Sequence, residues 1–205
     1  MKKVVIIDYG MGNLDSVRRA IEECGGTPII SCEKQEINQA SHIVLPGVGS
    51  FADGMRNICQ RGLDEWLTER ALQQGIPLLG ICLGMQLMAQ KGLEGGETTG
   101  LAWLDAKVEK LQATSAEKRI PHIGWNEVHV SVSSPLFKGI DSGKDFYFVH
   151  SYHLVARDPD LAAATTPYCG QFISAIAKDN LFGVQFHPEK SQKVGFKLLR
   201  DFISL

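Results

Sequence analysis

The spacing Gly80-x-Cys82-x-Gly84, set directly after the apolar run Pro77-Leu78-Leu79, leaves few local structures open. A small residue two places before and two places after a central side chain is what a tight strand-to-helix turn demands, because a Cβ at either place would crowd the neighbouring backbone. Pro77 to Ala89 therefore predicts a buried strand, a nucleophile elbow with cysteine at its tip, and then an apolar helix. In such a turn the sulfur stands above the sheet at the positive end of the helix, which favours thiolate over thiol. A cysteine is more commonly a buried, inert small hydrophobe. The elbow counts as chemistry only if a base is found elsewhere in the chain.

The first ninety residues alternate strand and helix at the spacing of a doubly wound sheet. Val4-Val5-Ile6-Ile7 suits a central parallel strand, Asp8 to Gly12 a turn, and Asn13 a helix cap. Leu14, Val17, Ala20 and Ile21 give one apolar face to a helix reaching about Cys24, where Gly25-Gly26 stops it. Thr27 to Ser31 and His42 to Leu45 read as strands, and Asp53 to Cys59 and Leu63 to Gln73 as helices. After Gly100 the segments shorten. Ala106 to Glu109, Glu127 to Val130 and Phe146 to Val149 read as mixed or antiparallel strands at the sheet's edge, and Phe172 to Ala177 with Leu181 to Phe186 as a hairpin over Lys178-Asp179-Asn180. Ser191 to Ile203 closes the chain as an amphipathic helix. The expected architecture is α/β: a flavodoxin-like, doubly wound, mainly parallel sheet with helices on both faces and an antiparallel edge extension. One domain over residues 1–205 is long enough to bury most of its apolar surface.

Charge narrows the partners. The 21 basic and 23 acidic residues are interspersed and sum to a net charge of −2, which gives no footprint for nucleic acid or an anionic membrane. The opening stretch reaches Asp8 after four apolar residues, too short for a secretory signal, and no apolar run approaches the roughly 20 residues that cross a bilayer. A cytoplasmic location is expected. Cys24, Cys32, Cys59, Cys82 and Cys169 form an odd set with no CxxC pair, which argues against disulfides and zinc, and no metal or cofactor is expected. Gly10-Met11-Gly12 with Glu33 imitates a dinucleotide fingerprint. Asp15, however, stands where the third small residue belongs and would repel a pyrophosphate.

A cysteine nucleophile needs an imidazole, and the imidazole needs an orienting acceptor. His187 ends a strand in Phe186-His187-Pro188-Glu189, where the proline prevents the sheet from continuing and a carboxylate follows two residues on. At the sheet's carboxyl edge His187 and Cys82 can sit side by side, with Glu189 holding the tautomer. His150 and His153 are the runner-up bases and lack a nearby acid in sequence. Attack on a carbonyl creates an oxyanion, and Pro46-Gly47-Val48-Gly49 is a glycine-rich loop able to aim N–H groups at it.

With Gly80-Ile81-Cys82-Leu83-Gly84-Met85-Gln86 and Gln185-Phe186-His187-Pro188-Glu189 in that order, the chain resembles the class I (triad) glutamine amidotransferases. Pro46 to Phe51, Pro121-His122-Ile123-Gly124-Trp125-Asn126 and Val149-His150-Ser151-Tyr152 look like the glutaminase subunits of imidazole glycerol phosphate synthase. The resemblance implies that Cys82 attacks glutamine, His187 protonates the departing ammonia, Glu189 orients His187, and a γ-glutamyl thioester is hydrolysed to glutamate. It implies that Gln86 and Glu94 hold the glutamine ends, that His150 and Ser151 line the site, and that Gly47, Val48 and Gly49 with Leu83 form an oxyanion loop that flips on activation. The implied partner is a separate (β/α)8-barrel cyclase in a heterodimer, which uses the ammonia to make imidazole glycerol phosphate and AICAR for histidine synthesis. Asn13, Trp125, Asn126, Tyr147 and Lys190 would face it, Trp125 as an exposed aromatic on a polar loop. A glutaminase for another acceptor, or a non-catalytic binding domain on the same fold, are the alternatives.

Overall fold

The computed structural model describes residues 2–113, 119–131 and 134–205; Met1, at the head of the opening stretch, lies outside them. The chain begins with β1 (Lys3–Ile7), α1 (Leu14–Glu23), β2 (Thr27–Ser31), α2 (Lys34–Asn38), β3 (His42–Leu45), α3 (Phe51–Gln60) and α4 (Leu63–Thr68), which runs on as a π turn over Glu69–Gln73. It continues through β4 (Leu78–Ile81), α5 (Leu83–Gln86), β5 (Ala89–Gly92), β6 (Thr98–Thr99), β7 (Leu104–Lys110), β8 (His122–Val130), β9 (Lys144–His150), β10 (Tyr152–Ala156), β11 (Ala162–Thr166), β12 (Phe172–Lys178), β13 (Leu181–Val184) and α6 (Gln192–Ile203).

β2, β1, β3, β4 and β13 lie side by side in that order and run parallel, the flavodoxin-type arrangement. Antiparallel β12, β11, β8 and β9 extend the same sheet. The extension curls back on itself: the His187 N–H donates to the Tyr147 carbonyl of β9 at 2.9 Å, and the Phe146 and Phe186 rings lie 4.1 Å apart.

Both faces of the parallel strands are covered, as their unbroken apolar runs require. Successive residues point to opposite faces. Val4, Ile6, Val44, Leu79 and Ile81 pack with α1 and α6 through Val17, Ile21, Leu198 and Phe202. Val5, Ile7, Ile43, Leu45 and Leu78 pack with Ile37, Ile58 and Leu67 of α2, α3 and α4. Asn13 caps α1 as expected, its side chain accepting the Ser16 N–H. No helix among the described residues is long and apolar enough to cross a membrane.

Three local expectations fail. Ala106 to Glu109 is not on the edge of the main sheet: β7 belongs to a second sheet, ordered β10-β7-β5-β6, because Leu104, Ala106 and Val108 turn together into the core on the α3 side. Trp125 stands on β8 rather than on a loop. The helix after Cys82 ends after one turn. A Cβ on Gly100 would lie 2.1 Å from the Ala89 carbonyl oxygen, so only glycine lets the chain there approach so closely. The following N–H groups then take the helix's outgoing carbonyls, Leu101 to Leu87 and Trp103 to Met88 at 2.9 Å, and draw the chain into β5.

Candidate active site

The elbow is built without spare room. A Cβ on Gly84 would sit 1.7 Å from the Leu45 carbonyl oxygen, and one on Gly80 would sit 2.7 Å from the Met85 nitrogen. Cys82 takes φ 54° and ψ −110°, a conformation disfavoured for a residue with a Cβ. Its N–H donates to Val184 at 2.7 Å, and its carbonyl accepts from Met85 and Gln86 at 3.1 and 3.2 Å. With only one helical turn behind it, the helix dipole at the sulfur is small. A side-chain amide adds to it: Gln185 Nε2 donates to Sγ at 3.5 Å.

β13 runs parallel to and beside β4, so the residues that follow the two strands emerge together at the carboxyl edge of the sheet. Cys82 follows one strand and His187 the other. His187 Nδ1 lies 2.8 Å from Glu189 Oε1, on the short 3-10 turn Pro188–Lys190, and both side chains are buried. Ser191 Oγ donates to the His187 carbonyl at 2.6 Å and accepts from Tyr147 N–H at 3.0 Å, which braces that turn. Burial alone would lower the basicity of the ring. The neighbouring Cys82 sulfur and the Glu189 carboxylate outweigh it, and His187 is pushed up to about 10. With Nδ1–H committed to Glu189, the buried Nε2 is the atom left for proton exchange.

A cleft of about 230 Å³ opens over Cys82, and Val48, Gly49, Leu83, Gln86, Glu94, His150 and Ser151 all line it. Gln86 Nε2 donates to the Tyr152 carbonyl and to Gln185 Oε1, both at 2.9 Å. Glu94 Oε2 accepts from Phe51 N–H at 2.8 Å, at the start of α3. Burial holds His150 down to about 3, so its ring is neutral. The space admits a molecule of amino-acid size and offers it a carboxylate, a carboxamide and main-chain groups. His153, the other runner-up base, does not line the cleft.

Leu83 N–H is engaged: it donates to the Gly47 carbonyl at 3.3 Å. Val48 is 43% exposed, and Gly49 has φ 109°. Gly47 packs under Tyr9, where a Cβ would come 2.2 Å from the phenol oxygen that donates to the Pro46 carbonyl at 2.7 Å.

The remaining predicted residues divide by face. Trp125 is 48% exposed with Ile123, 61% exposed, two places before it on the same side of β8. The Trp125 ring meets Tyr147 edge-on at 6.0 Å, and Lys190 Nζ lies 5.8 Å from the centre of the Tyr147 ring. Asn13 is exposed at the start of α1. Asn126 is half-buried on the opposite side of β8 from Trp125, its amide 3.2 Å from His122 Nε2. Gln185, His122 and Tyr152 stand inside the motifs quoted for the resemblance, with no role assigned there; in the structure Gln185 and Tyr152 bond to Gln86, and His122 to His150. For Gln185 a signal was there: an amide at the end of the apolar run Leu181 to Phe186.

Residues 5–204 match the family described as glutamine amidotransferase class-I. Over 202 residues the chain is 46% identical to an imidazole glycerol phosphate synthase subunit HisH of Moorella thermoacetica, covering 98% of this chain and 94% of that one. It is 43% identical over 202 residues to a HisH 1 subunit of Campylobacter jejuni, covering 98% and 100%. Among solved structures, PurLQS from Thermotoga maritima aligns with a TM-score of 0.75 at 19% identity over 100% of this chain and 99% of that one, which speaks for the fold.

Proposed function

Since this chain belongs to the class-I glutamine amidotransferases, in the group of imidazole glycerol phosphate synthase HisH subunits, and is a glutaminase, we propose the following roles for its residues and partner. The thiolate of Cys82 attacks the carboxamide carbon of glutamine. His187 gives a proton from Nε2 to the departing ammonia, leaving a γ-glutamyl thioester on the sulfur. Water, giving up a proton to His187, then attacks the thioester and releases glutamate. Glu189 keeps Nδ1 as the donor and balances the imidazolium. Gln86 and Glu94 hold the amino-acid end of the substrate, with His150 and Ser151 as walls. The observation that carries this reading is the arrival of Cys82 and the His187–Glu189 pair at the ends of adjacent parallel strands.

Leu83 N–H, with the loop of Gly47, Val48 and Gly49, is the proposed oxyanion site. The Leu83–Gly47 hydrogen bond must break before that amide can meet an oxyanion, which supports a resting loop that moves on activation. The ammonia passes to a (β/α)8-barrel cyclase in a cytoplasmic heterodimer. Trp125, Tyr147 and Lys190, with Asn13, face that partner, and the exposed Ile123–Trp125 face is the kind of apolar anchor an interface uses; Asn126, expected there too, turns to the other side of β8 and meets His122. The chain works as one unit over residues 1–205.

The test measures glutamate release with glutamine alone, with the cyclase, and with the cyclase and its nucleotide ligand. The expected result is a large rise with the liganded cyclase, and no rise would remove the partner. Mapping the adduct of a glutamine-like diazoketone checks the nucleophile, and attachment to any cysteine other than Cys82 would overturn it.

A further inference from the structure

We propose that His122 and Asn126, neither of which lines the cleft, are positioning residues for glutamine binding, acting on Gln86 through His150 and the Tyr152 carbonyl; this rests on the glutaminase reading above. The Tyr152 carbonyl accepts two hydrogen bonds, from Gln86 Nε2 and from His150 Nδ1, each 2.9 Å long. His150 is neutral, and a neutral ring that donates from Nδ1 has a bare Nε2. That buried nitrogen needs a donor. His122 Nδ1 supplies it from 3.0 Å.

On the far side of His122, Nε2 meets the Asn126 amide nitrogen at 3.2 Å. The Asn126 oxygen already accepts the Glu127 N–H at 2.9 Å, which decides which end of the amide faces the ring. Each junction thus pairs one donor with one acceptor, and the direction runs from Asn126 to His122 to His150 to the Tyr152 carbonyl. Gln86 then donates to Gln185 at 2.9 Å, and Gln185 donates to the Cys82 sulfur. Ring packing fixes the tilt of His122, with Tyr168 stacked on it at 3.8 Å and Phe148 at 4.8 Å.

A buried polar chain of this kind fixes geometry only while every member is satisfied, and removing one donor leaves an orphan next in line. Loss of the His122 donor orphans His150 Nε2. The ring is then free to turn away from the Tyr152 carbonyl, and the carbonyl that anchors Gln86 loses its second donor. The effect falls on substrate binding rather than on sulfur chemistry.

The experiment uses the two-subunit enzyme with saturating liganded cyclase and follows glutamate release. His122→Phe keeps the stacking and removes the donor. We expect a roughly tenfold rise in the KM for glutamine with kcat changed less than about threefold. Asn126→Leu shifts KM in the same direction with cyclase affinity unchanged, and His122→Gln, which keeps an N–H on a flexible arm, recovers part of the loss. Unchanged KM in His122→Phe and Asn126→Leu, a loss confined to kcat, or no recovery in His122→Gln would overturn the inference. Should His122→Phe not fold, Asn126→Leu at its half-buried position decides alone. A wild-type enzyme that releases no glutamate would instead overturn the glutaminase reading, and this inference with it.

Discussion

At the scale of single residues, Cys82 carries a backbone cost at the tip of its turn. At φ 54° and ψ −110° a Cβ is unwelcome, and such a conformation costs about 1–3 kcal/mol for any residue but glycine. Glycine in place of alanine ordinarily destabilises by roughly 0.5–1 kcal/mol. Here the order inverts: Cys82→Gly should be more stable than Cys82→Ala by about 1 kcal/mol, read from urea midpoints, while both lose glutaminase activity. His187 supplies a second test. Its folded-state basicity, about 10, lies above the ordinary value near 6.5, so its contribution to stability is fully present below about pH 6.5 and is lost as pH rises through about 10. Glu189→Gln removes one of the groups that raise it. The melting-temperature deficit of that variant should be largest near pH 6 and shrink above about pH 10; a deficit that does not vary with pH would contradict this account.

At the scale of elements, the elbow depends on the approach of α5 to β3. The added methyl of Gly84→Ala would collide with the Leu45 carbonyl, which is backbone and cannot swing aside, so we expect a loss of more than about 3 kcal/mol or failure to fold, measured by thermal melting. The strands of the parallel half were legible because each is a short apolar run closed by glycine, proline or a cap, and Thr27–Ser31 and His42–Leu45 keep the bounds read from sequence. What lay beyond local pattern was settled by distant partners. The apolar stretch from Leu83 to Ala89 has the composition of a helix, yet strand-like hydrogen bonds from residues 100–104 end it after one turn. β7 alternates as an edge strand would, and only its packing sends it to a second sheet. The glycine-flanked cysteine and the His-Pro-Glu turn pointed to their own chemistry. For Gln185 the sequence marked an amide at the end of an apolar run but not its partner, and for His122 it marked neither, because their hydrogen bonds go to residues far away in sequence.

At the scale of the whole molecule, burial holds several histidines neutral. It keeps His42 down to about 4 and His150 down to about 3, and it lowers His153 as well. Between about pH 6.5 and pH 3 to 4 the unfolded chain therefore binds more protons than the folded one, and stability must fall as pH drops through that window. Urea midpoints taken from about pH 7 down to pH 4 should decline steadily, and a flat profile would refute this. The same topology also sets an order in time. Cys82 and His187 flank neighbouring strands in space and lie 105 positions apart in sequence (187 − 82), so at about 5–20 residues per second of synthesis the ribosome delivers the imidazole roughly 5–20 s after the sulfur. Over that interval the nascent chain carries Cys82 without His187, so the proposed pair cannot form before β13 and the turn after it have been made.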